Sequence, residues 1–172
     1  MKKAFFLIAI LTVLTAYKPG NKGEPDKKNL QNDKYAFVAS YSSDITVPGN
    51  PLNAQKVLHV WKLFEAKDVA GMKQYFADIV KYDDASGSHY NGPIDGLLDI
   101  AKKNLQNLDS LRFDISMWQS AHINDKNEDW VNIWARERRY SKDAPGDTSY
   151  IQENWQIKDG KVVAFNQYTQ KK

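Results

Sequence analysis

The stretch Tyr150-Ile151-Gln152-Glu153-Asn154-Trp155-Gln156-Ile157-Lys158-Asp159-Gly160-Lys161-Val162 decides how the rest of the chain is read. Ile151, Glu153, Trp155 and Ile157 alternate with Tyr150, Gln152, Asn154 and Gln156, and Val162 to Tyr168 runs on after the Asp159-Gly160 pair. A period of two is the pattern of a strand with one covered face. Asp-Gly between two such runs marks a hairpin, because glycine supplies the positive φ of a primed turn. One β-hairpin is therefore expected from Tyr150 to Tyr168, closing a sheet. Its apolar face holds one carboxylate, Glu153, between Ile151 and Trp155, which puts a polar point in a covered layer and suggests a pocket.

Working outward, Ala144-Pro145-Gly146-Asp147 reads as the turn into this hairpin. Before it, Val131, Ile133 and Ala135 begin a strand whose covered face reaches Glu137, and Asn124 to Asn127 is a turn. Leu111, Phe113, Ile115, Met117, Ala121 and Ile123 share one face of a further long strand or bent strand pair, with Gln119 as its polar exception. Helical spacing takes over upstream. Ile94, Leu97, Leu98, Ala101, Leu105 and Leu108 keep a 3.6-residue period after Asn91-Gly92-Pro93. Asp83 to Asn91 is expected as a polar loop, Val80-Lys81-Tyr82 as a short strand, and Val69, Met72, Phe76 and Ile79 as the buried stripe of a short helix capped by Asp68. A longer helix is expected from Asn53 to Ala66, with Ala54, Val57, Leu58, Trp61 and Phe64 inward, after the breaker Pro48-Gly49-Asn50-Pro51. The order is helix, helix, short strand, helix, then about four long antiparallel strands: an α+β domain with three helices on one face of a curved, mostly antiparallel sheet.

The ends divide the chain further. Lys2 and Lys3 precede the apolar run Ala4 to Leu14 and the small pair Thr15-Ala16, the pattern of an export signal over residues 1–17. The run is shorter than the ~20 residues of a membrane span. Tyr17 stands where lipidation needs Cys, so the expected location is the periplasm or cell envelope without a lipid anchor, membrane contact being limited to an uncleaved leader. Residues 18–34 read as a disordered linker, 35–50 as an extended arm and 51–172 as the folded domain. The 172 residues carry a net charge of +3, but seven Lys against Glu24, Asp26 and Asp33 give residues 1–34 a net +4, which leaves −1 for the remainder. A near-neutral folded part disfavours nucleic acid. With no Cys in the chain, stability must come from the core.

This order of elements resembles the NTF2-like superfamily and, within it, exported SnoaL-like bacterial proteins of the Bacteroidetes type. The matching pieces are the helix with Trp61, the segment Phe76-Ala77-Asp78-Ile79-Val80-Lys81-Tyr82-Asp83, Gly92 before the third helix, and Trp155 to Val162 closed by Gln167-Tyr168; the likeness spans residues 50–170. Asn124-Asp125-Lys126-Asn127-Glu128-Asp129-Trp130 resembles a turn of the exported members. The resemblance implies a cone, a sheet wrapped around the helices with a cavity between them, used as an isomerase, cyclase or dehydratase site, as a ligand pocket, or not at all. It also implies dimerisation through the outer sheet face. Fold alone does not choose among these.

The expected cavity is lined by Trp61, Tyr82, Asp83, Gln119, Glu137, Glu153, Trp155 and Gln167 and takes a small, largely apolar molecule without catalysis. The alternative is an acid-base enzyme of the ketosteroid isomerase or polyketide cyclase type using Asp83 or Glu153, since an apolar cavity raises a carboxylate's pKa. Each candidate has a plainer reading. Asp83 beside Asp84 and Ser86 fits a turn, and Glu137 and Glu153 near Arg136, Arg138 and Arg139 fit cross-strand ion pairs. His59, His89 and His122 are scattered and lack metal-ligand spacing, so neither metal nor cofactor is expected. Ser86-Gly87-Ser88-His89 lacks a nucleophile elbow, and there is no phosphate-binding glycine loop. If Val131, Ile133 and Ala135 face the helices, then Trp118, Trp130 and Trp134 face outward as a stripe suited to a homodimer, or to another protein if the cone is filled; a phase error would make them pocket wall.

Overall fold

The computed structural model describes residues 39–141 and 144–171. The expected signal peptide, the linker and the first residues of the arm lie outside the described residues. So does the link from Ser141 to Ala144, and Ala144 to Asp147, expected as the turn, already belong to the strand that follows.

The elements in order are β1 (Ile45–Thr46), α1 (Pro51–Glu65), α2 (Val69–Met72), a 3₁₀ turn (Lys73–Tyr75), β2 (Phe76–Asp84), β3 (His89–Pro93), α3 (Ile94–Leu105), β4 (Ser110–Ile123), β5 (Glu128–Ser141), β6 (Ala144–Lys158) and β7 (Lys161–Lys171). They form an α+β domain whose seven-stranded sheet runs β1-β4-β5-β6-β7-β2-β3 and does not close. Every neighbouring pair is antiparallel except β2 with β7. The β6–β7 hairpin turns at Asp159 and Gly160, whose φ values of 50° and 74° are those of a primed turn.

Local chemistry places the helices. The Asn50 side chain accepts from the Leu52 backbone N–H and Pro51 fills the first helical position, so α1 starts two residues before the expected Asn53. Its Ala54, Val57, Val60 and Trp61 are buried against the sheet. Asp68 caps α2 through Gly71 N–H, but that helix lasts four residues. Phe76 and Ile79 therefore belong to β2 and not to a helical stripe: Phe76 is buried, whereas Ile79 is 56% exposed. Residues 83–91, expected as a loop, are mostly strand, because β2 continues to Asp84 and β3 pairs back from His89. In α3, Ile94, Leu97, Leu98 and Leu105 face the core, and Leu108 falls beyond the helix end.

Cross-strand register fixes the two sheet faces. Glu137, Ala135, Ile133 and Val131 on β5 share the helix-facing side with Ser149, Ile151, Glu153 and Trp155 on β6 and with Phe165 and Gln167 on β7. Ile133 and Val131 are wholly buried there, each such side chain stabilising the fold by about 1.5–3 kcal/mol. On β4 the phase changes. The register shifts between Ile115 and Met117, leaving Ser116 as a bulge, so Leu111, Phe113 and Ile115 face inward while Met117, Gln119, Ala121 and Ile123 face outward. The same shift puts Trp118 opposite Ile133 on the inner side, away from Trp130 and Trp134, which do face outward.

The arm lies along this outer layer. Ile45 pairs with Ile123, Tyr41 packs edge-on against Trp130 at 6.2 Å, and the Tyr41 hydroxyl donates to Glu128. Ser42 donates to Asp125 and Thr46 to Asn124, tying the arm to the β4–β5 turn. Gly49 N–H donates to Ser120 O at 2.7 Å, and a Cβ at Gly49 would stand 2.7 Å from the Ala121 carbonyl carbon, so only glycine permits this approach. Among the described residues no helix is long and apolar enough to cross a membrane.

Candidate functional site

Between α1, α3 and the inner sheet face lies a cavity of about 120 Å3. Helix α1 contributes Val60, Trp61 and Phe64, and α3 contributes Leu97 and Leu98. Phe113 comes from β4, Phe76 and Tyr82 from β2, and Phe165 and Gln167 from β7. An engineered apolar cavity of about 150 Å3 accommodates benzene, so this space is on the scale of a single ring or smaller.

Two aromatic pairs make the walls. Trp155 stacks on Phe165 with ring centres 4.3 Å apart and planes 8° from parallel, and Trp61 meets Phe113 at 4.6 Å. Phe113 is held in turn by Glu65 at the end of α1, whose carboxylate accepts its backbone N–H at 3.2 Å. These contacts fix the slot from both sides.

Two carboxylates sit inside, and both are side chains that alternation points inward. Glu137 is 4% exposed and is gripped by Arg139, Nε at 2.9 Å from one oxygen and Nη2 at 3.0 Å from the other. The partner comes from the same strand two residues on, so the expected cross-strand ion pair is replaced by a local fork. Glu153 is 8% exposed and forms no ion pair among the described residues. It accepts the Trp155 indole N–H at 2.9 Å, and the Trp61 indole lies close enough to favour its charged form as well. Burial, helped by the charge of nearby Glu137, pushes its pKa up to about 8, with the two indole donors pulling the other way. At the other side of the slot, the Tyr82 hydroxyl donates to Gln167 at 3.2 Å; burial first, then the charge of Asp84, raises its pKa above the ordinary phenol range.

Six of the eight expected lining residues meet here: Trp61, Tyr82, Glu137, Glu153, Trp155 and Gln167. Two do not. Gln119 is exposed on the outer face because the Ser116 bulge inverts the phase of β4 beyond it. Asp83 is turned away because Tyr82 points inward and adjacent strand residues face opposite sides; its carboxylate accepts from His89 Nδ1 at 2.6 Å in solvent. Asp84 has the inward phase but serves the β2–β3 turn, accepting from Ser86 N–H at 2.8 Å and Ser88 N–H at 3.0 Å. That removes Asp83 as a base within this cavity. Sequence reading missed Arg139 as the partner of Glu137, although a spacing of two along one strand already put both on one face. It also missed Phe165, whose inward phase follows from pairing with Trp155.

The histidines lie elsewhere: His122 pairs with Asp129 at 2.9 Å and His59 stacks on Tyr75. Among the described residues no group of three metal-ligating side chains comes together.

By sequence, the chain matches no family model and no curated protein. By structure it is similar to an NTF2-like protein of unknown function from Burkholderia pseudomallei, with a TM-score of 0.57 at 14% identity, covering 69% of this chain and 90% of that one. The fold is NTF2-like. An LEH-like epoxide hydrolase of M. tuberculosis gives a TM-score of 0.57 at 10% identity, over 69% of this chain and 82% of that one. A protein of ketosteroid isomerase-like fold from Catenulispora acidiphila, in complex with trimethylamine, gives 0.53 at 15% identity, over 65% and 83%. The similar structures thus include one named as an enzyme and one in complex with a small molecule, and identities this low carry the fold alone.

Proposed function

We propose that this chain is a ligand-binding NTF2-like domain whose cavity takes up a small, largely apolar molecule and holds it through Glu153. The observation that carries this reading is an aromatic slot with room for one ring and a carboxyl group on its wall that no side-chain cation neutralises. Apolar lining with one or two convergent polar groups is the usual make-up of a small-molecule site. The test is native mass spectrometry of the purified full chain with displacement of an environment-sensitive dye from the cavity. Glu153→Gln is expected to lose ligand or dye retention while keeping its fold by circular dichroism. No uptake of any small apolar probe by the wild-type chain would end this reading.

A second reading is an acid-base enzyme with Glu153 as the proton-transfer group, because a carboxyl whose pKa lies near neutrality is matched to that task. Deuterium exchange from solvent into the position α to a probe ketone's carbonyl, lost in Glu153→Gln, would favour it.

Two further proposals concern the setting. The outer face bearing Trp134, with Met117 54% exposed and Tyr150 and Tyr168 exposed beside it, forms a homodimer interface. Residues 1–17 direct export to the periplasm or cell envelope.

A further inference from the structure

We propose that the ligand is a cation: a small methylated ammonium group whose methyl surface lies against the aromatic walls while its charge faces Glu153. This rests on the reading of the cavity as a ligand pocket and goes on to name what fills it.

The charges around the cavity do not balance. Its ionisable lining consists of Glu137 and Arg139 from β5, Glu153 from β6 and Tyr82 from β2, with Asp84 beside the Tyr82 hydroxyl; α1 and α3 bring none. Arg139 is forked onto Glu137 by two contacts near 3 Å, which neutralises that pair. Glu153 is left over. The indole N–H groups beside it donate and have no lone pair to accept with, so they can bond a carboxylate or the carbonyl oxygen of the acid but leave an acid's O–H without a partner among them. The site therefore holds the donors of an anion without the counter-charge that would keep the anion ionised.

The walls supply the rest. Trp61, Phe113, Phe76, Tyr82, Trp155 and Phe165 line the same cavity as Glu153, and an aromatic face attracts a cation within about 6 Å of its centre. A primary ammonium needs up to three acceptors, and of those lining the slot Glu137 is taken by Arg139 and Gln167 by the Tyr82 hydroxyl, leaving Glu153 and Asn104. A quaternary or fully methylated one needs none. A trimethylammonium head suits a cavity of about 120 Å3 better than a larger ring system does. Binding would then ionise Glu153 and release its proton to solvent: carboxylic acid and free cation become a carboxylate-cation pair and one H⁺.

The experiment is isothermal titration calorimetry of the full chain with choline and with 3,3-dimethylbutan-1-ol, its uncharged carbon isostere. Titrations at pH 6.5 in two buffers of different protonation enthalpy count the protons released. Choline is expected to bind at least about tenfold more tightly than the isostere and to release close to one proton. Glu153→Gln is expected to bring the two affinities within about twofold. Equal or tighter binding of the isostere overturns the cation and leaves the ligand pocket standing. Binding of neither overturns the cation, and the pocket itself then stands or falls on the dye displacement. Should Glu153→Gln fail to fold by circular dichroism, the wild-type affinity ratio and proton count decide alone.

Discussion

Glu137 and Glu153 occupy neighbouring strands, face the same side of one sheet and are both nearly inaccessible to water, yet their surroundings differ in one respect. Glu137 has a guanidinium fixed on both oxygens, whereas Glu153 has two neutral donors and an aromatic slot. Hydrogen bonds from uncharged donors do not offset the loss of hydration that burial imposes on a carboxylate. The pair teaches that in this domain a buried carboxyl is paired or left unpaired with a cation by what lies two residues along its own strand: Arg139 in one case, Trp155 in the other.

The comparison can be broken most severely with pH. The Glu153 pKa, ordinarily 4.5, is raised to about 8 in the folded chain. Below pH 4.5 folded and unfolded chains both hold the proton. As pH rises from 4.5 to 8 the unfolded chain gives it up and the folded chain keeps it, so folding loses up to about 5 kcal/mol, at about 1.4 kcal/mol per decade of proton affinity. Urea unfolding across this range is expected to show that decline in the wild type and a flat profile in Glu153→Gln; matching profiles would place Glu153 in solvent. Next in size is Arg139→Ala, which strips Glu137 of its cation. A fully buried pair broken this way costs about 3–5 kcal/mol; with Arg139 itself 38% exposed, about 2–3 is expected in equilibrium unfolding. A cost under about 0.5 kcal/mol would mean that Glu137 does not depend on the fork.

Trp155→Phe sharpens the contrast from the other side by removing one donor from Glu153. It is expected to move the midpoint of the pH-dependent decline upward by about one pH unit, read from the same unfolding series. The smallest stability effect belongs to the outer face. Trp134→Glu is expected to change unfolding free energy by less than about 1 kcal/mol while converting a homodimer to a monomer in sedimentation velocity. Unchanged sedimentation would remove that interface.

The inward phase of β5 and β6 was legible in the sequence because alternation is unbroken from Val131 to Glu137 and from Ile151 to Ile157, and it places Glu137, Glu153 and Trp155 correctly. Trp61 was legible from helical spacing. Legibility failed where the local rule changes without a residue type that announces it. Ser116 gives no bulge signature, so alternation carried across it sent Gln119 inward and Trp118 outward, both opposite to the structure. The stretch Val69 to Ile79 has helical spacing throughout, but only its first turn is helix, because pairing of β2 with β7 and β3 overrides local preference. Asp83 missed the cavity by one position for the same reason. The Arg139 fork depends on a side chain reaching along its own strand, which spacing permits and does not select.

Ser116 also sets a constraint on length. Because Ser116 is supernumerary in the β4–β5 ladder, deleting it would leave Met117 to Ile123 on the partners they now have; pairing β4 at its present length without a bulge would instead shift every one of them, turning Ala121 and Ile123 toward the helices and Ser120 outward under the arm. A chain one residue shorter at this point would keep both layers and lose only the local kink, whereas one residue more on either side would force them apart.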